Sequence, residues 1–339
     1  MYFVGIYPVR SIVKGLPISP QTQKLWIVPD GILYYLPWET LITEPYKQKA
    51  VNYSNLAYLL KKYIISYDYS ANLIYSKRTL PLSLDKEKLL AFSPDFKAQL
   101  AVNDQTKRDQ LRADLSELKG AKEEVRALDA LYRGQLFLGQ QATEYEFKNN
   151  LQNGSVLHLA THAIVDDERP GYSRLLFSLS NQDTLNDGYL HAYELYNLKL
   201  NAELVTLSAC NTGFGQIQSG EGVMSLGRAF AYAGSPNVLM SLWSVPDKST
   251  SQIMIEFYKN LANGMPKDVA LQQAKLAYIA SADNMTTNPF YWSSFVLIGD
   301  PKPLSLRPQA PFYKKSLFIW FAAFIIIGGG IFLATRRMS

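Results

Sequence analysis

A chain of 339 residues, 47% hydrophobic and 19% charged, is long enough for one large or two medium domains, and its composition excludes wholesale disorder. The net charge of +5 is no sign of a nucleic-acid groove, because residues 301–339 hold six basic side chains and no acid, which leaves residues 1–300 at −1. The single cysteine, Cys210, excludes an intrachain disulfide and fits a reducing compartment, and no cysteine–histidine cluster has zinc-ligand spacing.

Residues 1–20 show no clear period. Leu25-Trp-Ile-Val28 reads as a buried strand ended by the turn Pro29-Asp-Gly31. Residues 32–42 are apolar and aromatic, and the tyrosine-rich stretch 53–75 is expected to pack its rings with the hydroxyls at the surface. Leu89-Leu-Ala-Phe92 is a short strand closed by Ser93-Pro-Asp95. Residues 97–118 are the most polar of the chain and read as a solvated loop or linker helix. Ala121, Val125, Leu128 and Leu131 then stand at helical spacing, which predicts an amphipathic helix from Ala121 to Tyr132. A strand follows at Gln135-Leu-Phe-Leu138, and Thr143 with Glu146 is a capping-box pattern for the helix holding Phe147 and Leu151.

Val156-Leu-His-Leu-Ala-Thr-His-Ala163 reads as a strand with His162 where the apolar run stops. The polar loop 165–174 comes next, of the kind that shapes access beside a catalytic strand end. Asn186-Asp-Gly188 is a turn before a helix at Ala192–Leu198. Leu204-Val-Thr-Leu-Ser-Ala-Cys-Asn-Thr-Gly213 is a second apolar run, breaking into a glycine turn at Cys210. A glycine-rich loop, 214–222, precedes a helix at 223–233, a strand at 237–243, helices at 250–261 and 267–279, and a last strand at 295–298. Strands alternating with helices predict an α/β fold with a largely parallel sheet.

If the two apolar runs are neighbouring parallel strands, His162 and Cys210 meet at the carboxyl edge, where open α/β sheets place their chemistry. A lone cysteine in an apolar run is equally at home in a core. Its place at a strand end before Asn-Thr-Gly favours nucleophilic work, which needs a thiolate, a base within hydrogen-bond reach and two N–H groups for the developing oxyanion. His162 is the candidate base, and the backbone N–H groups of Ala163 and Cys210 are candidates for the oxyanion site. His158 lies mid-strand and reads as a core histidine, and His191 as structural. The loop after Cys210 lacks the third glycine of a dinucleotide fingerprint, no Gly-Lys-Ser/Thr phosphate loop occurs, and no glycines sit two residues either side of Cys210 as in an amidotransferase elbow. No cofactor or metal is expected.

These blocks are familiar. Ile27-Val-Pro-Asp-Gly-Ile-Leu-Tyr-Tyr-Leu-Pro-Trp-Glu39, Leu157-His-Leu-Ala-Thr-His162, Leu207-Ser-Ala-Cys-Asn-Thr-Gly213, Gly220-Glu-Gly222, Leu226-Gly-Arg-Ala-Phe-Ala-Tyr-Ala-Gly234, Leu242-Trp-Ser-Val-Pro-Asp247 and Pro289-Phe-Tyr-Trp-Ser-Ser-Phe-Val-Leu-Ile-Gly-Asp300 stand in one order over residues 20–302. In them the chain resembles the CHAT family of caspase-like cysteine peptidases, which are similar to separases and more distantly to caspases. The resemblance implies an inactive caspase-like first half, 1–134, and an active second half, 135–305, whose His/Cys dyad falls on His162 and Cys210. It implies cleavage of a protein substrate, in a family whose members act in bacterial defence or programmed death. The alternative is a catalytically silent, membrane-tethered scaffold or signalling module on the same fold. In separases a similar Leu-Trp-x-Val-x-Asp run supplies an acid that receives arginine. Asp247 falls on its last position, so it is either a substrate-binding residue or a cap for the following helix. Family members often carry glycine after the histidine, where Ala163 stands here, and many carry N-terminal helical repeats. The sequence at hand shows none, so regulation by a partner protein, or a truncated gene, is the expectation.

Residues 316–335 run without a charge, long enough to span a hydrocarbon core as one helix, with Lys314-Lys315 and Arg336-Arg337 at the ends and Trp320 near one of them. They are expected to anchor the chain in membrane lipid through a single pass after a juxtamembrane linker, 306–315. Lys302, Arg307, Lys314 and Lys315 before the helix against two arginines after it place the body on the cytoplasmic side. Residues 1–30 show no secretory signal pattern.

Overall fold

The computed structural model of the chain describes residues 18–44, 51–76, 88–96, 118–132, 134–166, 168–179, 186–208, 217–218, 222–223, 226–306 and 308. In chain order its strands are β1 (Lys24–Ile27), β2 (Ile64–Tyr67), β3 (Leu89–Pro94), β4 (Gly134–Gly139), β5 (Val156–Leu159), β6 (Ala163–Ile164), β7 (Arg174–Leu176), β8 (Tyr189–His191), β9 (Leu204–Leu207), β10 (Ile217–Gln218), β11 (Gly222–Val223), β12 (Asn237–Ser241) and β13 (Phe295–Gly299). The helices are α1 (Leu59–Lys62), α2 (Ala71–Ser76), α3 (Lys119–Leu131), α4 (Glu144–Asn150), α5 (Ala192–Leu195), α6 (Leu226–Tyr232), α7 (Asp247–Ala262) and α8 (Lys267–Ser281).

Eight strands form one sheet in the order β1-β2-β13-β12-β9-β5-β3-β4. Every neighbouring pair is parallel except β12 and β13, so a block β1-β2-β13 meets an oppositely directed block β12-β9-β5-β3-β4. This is the largely parallel α/β sheet that the alternation of elements predicts. Strands from both sides of residue 134 share it, since β3 lies between β4 and β5.

The sequences of β3, β5 and β9 are near-continuous apolar runs because helices cover both faces of the sheet. Alternation assigns the faces. Leu90, Phe92, Leu157, Leu159, Val205 and Leu207 pack on one side with Phe147, Phe177 and Phe230. Leu89, Ala91, Val156 and Leu204 pack on the other with Val125 and Leu128 of α3 and Phe257 of α7. Of the apolar stripe of α3, Ala121, Val125 and Leu128 are buried and Leu131 is half-buried, and Thr143 caps α4 by accepting a hydrogen bond from Glu146 N at 3.1 Å. At the end of β13 only glycine fits: Gly299 has φ +121°, and a Cβ there would lie 2.0 Å from the Pro236 carbonyl oxygen.

Several expectations need correction. β5 stops at Leu159, and the chain leaves the sheet before His162; Ala163 opens a separate strand, β6, antiparallel to β7. The glycine-rich stretch holds a short hairpin, with Ile217 opposite Val223 and Gln218 opposite Gly222, so Val223 is strand and the next helix begins at Leu226. The helix expected at Ala192–Leu198 is a single turn. The tyrosines of the 53–75 stretch do not all keep their hydroxyls in water. Tyr58, Tyr63 and Tyr67 are buried, and the Tyr67 hydroxyl donates to the buried carboxylate of Glu39. Lys275 completes that cluster, its Nζ 2.9 Å from Glu39 Oε1 and 2.6 Å from the Phe295 carbonyl oxygen. Among the described residues no helix is long and apolar enough to cross a membrane. The segment expected to do so, 316–335, lies outside them.

Candidate active site

The parallel pair β5–β9 is central to the sheet, with Val156 opposite Leu204, His158 opposite Thr206 and Leu159 opposite Leu207. Ser208 N donates to the Leu159 carbonyl at 3.0 Å, which carries the pairing one residue past β9. His162 stands three residues beyond Leu159, and Cys210 three residues beyond Leu207. Cys210 itself lies outside the described residues.

His162 is buried, 8% exposed, with its ring against Phe96 at a centroid distance of 4.9 Å. Its backbone is pinned on both sides. The His162 carbonyl accepts from Leu176 N at 3.0 Å, and the Thr161 hydroxyl donates to the Leu176 carbonyl. Ala163 pairs with Leu175 and packs partly buried against the core. Thus the small sheet β6-β7-β8 holds the histidine segment from outside the main sheet.

Asp247 is the first residue of α7, but its carboxylate reaches a different helix: it accepts from Gly120 N in the first turn of α3. In the first turn of its own helix the Ser249 and Thr250 N–H groups bond to the Pro246 carbonyl at 3.0 and 3.1 Å, not to the Asp247 carboxylate. Glu124, Thr161, Ser208, Ser241 and Asp247 line a small cleft at the carboxyl ends of β5, β9 and β12. At about 20 Å³ it has room for roughly one water molecule.

Beneath this edge lies a buried polar chain that the sequence reading missed. His158 Nε2 is 2.8 Å from Glu124 Oε1, close but bent too far for a straight hydrogen bond, and both side chains are at most 1% exposed. His158 Nδ1 lies 3.2 Å from the Tyr258 hydroxyl, which lies 2.8 Å from the Thr206 hydroxyl. The Ser208 hydroxyl donates to Glu124 Oε2 at 3.2 Å. Burial pushes the Glu124 carboxyl above the usual carboxylate range, against the pull of His158 and Ser208. One signal was legible: Glu124 sits three residues after Ala121 and four before Leu128, inside the apolar stripe of α3, where an acid needs a partner.

A CHAT-domain family model matches residues 4–300. Human tetratricopeptide repeat protein 28 is 29% identical over 227 residues, an alignment that takes in 57% of this chain and 9% of that protein; the mouse protein is 27% identical over the same length. The chain therefore spans 9% of the length of these curated relatives. Two solved structures share the architecture at a TM-score of 0.50. One is the Saccharomyces cerevisiae separase–securin complex, 15% identical, covering 82% of this chain and 16% of that one. The other is the complex of Porphyromonas gingivalis RgpB pro- and mature domains, 11% identical, covering 89% and 68%. At these identities the likeness is one of fold, a largely parallel sheet flanked by helices of the caspase-like kind.

Proposed function

The chain belongs to the CHAT-domain family, and from that membership we propose that it is a cysteine endopeptidase working through His162 and Cys210. One observation carries the reading: in adjacent, in-register parallel strands, the candidate base and nucleophile each follow the last paired residue by three positions. Residues 135–305 are then the half bearing the dyad and 1–134 the half without it. Cys210 Sγ attacks the scissile carbonyl carbon while His162 takes the thiol proton. The backbone N–H groups of Ala163 and Cys210 hold the tetrahedral oxyanion. As the C–N bond breaks, His162 gives the proton to the leaving amine, and water then hydrolyses the thioester. Covalent capture of Cys210 by a peptidyl chloromethyl ketone, located by mass spectrometry, tests the assignment; no adduct at Cys210 overturns it.

Asp247 is proposed as the residue that receives a basic side chain just before the scissile bond. It lies beside the ends of both dyad strands, where the cleft of about 20 Å³ has to open to take a guanidinium, and the N–H that it accepts from Gly120 is one that a guanidinium with five donors can replace. Peptides differing only in Arg, Lys, Leu or Asp at that position should show Arg cleaved fastest, and Asp247→Asn should lose most of that preference. An unchanged Arg preference in Asp247→Asn leaves the carboxylate with only its role at the start of α3.

Residues 316–335 are proposed as a single-pass tail anchor in lipid, with the peptidase body cytoplasmic. The full chain should sediment with membranes and resist carbonate extraction, and external protease should spare the body in intact cells. Recovery in the soluble fraction, or digestion from outside, would contradict the anchor or its orientation respectively.

A further inference from the structure

We infer that Glu124 is a positioning residue for the nucleophile, acting by holding Ser208, the last described residue before Cys210, at the end of β9. The inference rests on the peptidase reading above. The juxtaposition behind it is specific. One buried carboxylate touches both dyad strands: Oε1 lies 2.8 Å from His158 Nε2, four residues before His162, and Oε2 accepts from the Ser208 hydroxyl, two residues before Cys210. The opposite end of the chain returns to β9, because Tyr258 joins His158 Nδ1 to the Thr206 hydroxyl. Thr206 and Ser208 point to the same face by alternation, so two successive side chains on that face of β9 are tied to β5, α3 and α7.

An acid, a histidine, a tyrosine and two hydroxyl residues are a poor way to fill a core for stability alone, since well-packed apolar side chains of similar volume do as well or better. What the polar chain adds is direction. A hydrogen bond fixes the angle of the side chain that makes it, which the apolar contacts of Leu204 and Leu207 do not. The site benefits because attack by sulfur tolerates little error; a misplacement of about 1 Å can lower a rate on the order of 100-fold. Glu124 touches no reacting atom in this scheme. Its effect passes through Ser208 along two residues of chain.

The test is inactivation of the full-length protein by peptidyl chloromethyl ketones ending in arginine or leucine, with the binding constant KI and the maximal rate kinact determined separately. In this reaction the Cys210 thiolate displaces chloride, so kinact reports the reach of the sulfur. Glu124→Leu and Ser208→Ala should each lower kinact by about tenfold or more, with KI changed by no more than about twofold. Combining them should lower kinact little beyond the larger single effect, because both break one contact. Glu124→Gln keeps an acceptor for the Ser208 hydroxyl and an N–H for His158, and should stay within about threefold of the unaltered protein. Melting temperatures taken alongside separate positioning from stability. A lower melting point with unchanged kinact makes Glu124 merely structural and overturns the proposal, as do losses confined to KI or losses that multiply independently. Should Glu124→Leu fail to fold, Ser208→Ala with Glu124→Gln decides the matter by the same split. If neither probe labels the unaltered protein, the peptidase reading fails first and this inference with it; labelling that is indifferent to Glu124 and Ser208 sinks the inference alone.

Discussion

Cys210→Ala is expected to lower peptide-bond cleavage by on the order of 10⁵-fold or more, with His162→Ala close behind and the double variant little worse than either. The expected lack of additivity follows from the chemistry. Without the sulfur there is nothing for the histidine to deprotonate, and without the base the thiol stays largely protonated near neutral pH. His162→Ala removes no side chain from the sheet itself, as His162 lies beyond the end of β5, and Cys210→Ala deletes a single atom. Melting temperatures should therefore move far less than activity. The measurement is cleavage of a peptide library by the purified full chain, followed by mass spectrometry. Cleavage that survives Cys210→Ala excludes the assignment, because no other thiol exists in the chain to take over. An unaltered protein that cleaves nothing and takes no electrophile leaves the other reading, a silent scaffold on the same fold.

Much of the scaffold for this site was legible because the relevant signals are local. The apolar runs 156–159 and 204–207, the stripe of Ala121, Val125 and Leu128, and the Thr143 cap all express a period or a cap within a few residues, and the structure realises each of them. The pairing of β5 with β9 was an inference from their likeness and from where each run stops. The exits from the strands were less legible. Nothing in the run ending at Ala163 says that the sheet ends at Leu159, since that depends on Leu175 and Leu176 arriving on β7 to pair with Ala163 and the His162 carbonyl. The hairpin joining Ile217 to Val223 hides among glycines that read as loop.

The polar partners were the least legible part. Glu124 could be flagged as an acid in an apolar stripe, but its partners sit 34 and 84 positions away. Periodicity reports which face is buried and is silent about what that face meets. Glu39 and Lys275 are the extreme case, joined across 236 positions. Their packing also explains a local surprise, the inward hydroxyl of Tyr67, which has a buried carboxylate to accept its hydrogen bond.

That same pair carries the largest expected effect on stability. Lys275→Met should destabilise the fold by about 3–5 kcal/mol, because it leaves the Glu39 carboxylate buried without its cation. Lys275 is 1% and Glu39 3% exposed at the side chain, so water cannot step in to solvate the orphaned charge without opening the structure. The Tyr67 hydroxyl still donates to Glu39, but one neutral donor replaces little of an ammonium 2.9 Å away. Adding Glu39→Gln should restore roughly half or more of the loss. The glutamine carbonyl accepts from Tyr67 as the carboxylate did, and no net charge remains in the core. Denaturant unfolding of the four proteins closes the cycle, with the midpoint shifting and the slope unchanged if compactness is preserved. A Lys275→Met loss below about 1 kcal/mol would place the pair among weak surface ion pairs, contrary to its burial. A double variant as unstable as the two single losses added together would mean that the two charges do not compensate each other. The sheet edge formed by β1, β2 and β13 would then depend on their separate contacts: Lys275 Nζ with the Phe295 carbonyl, and Glu39 with Tyr67.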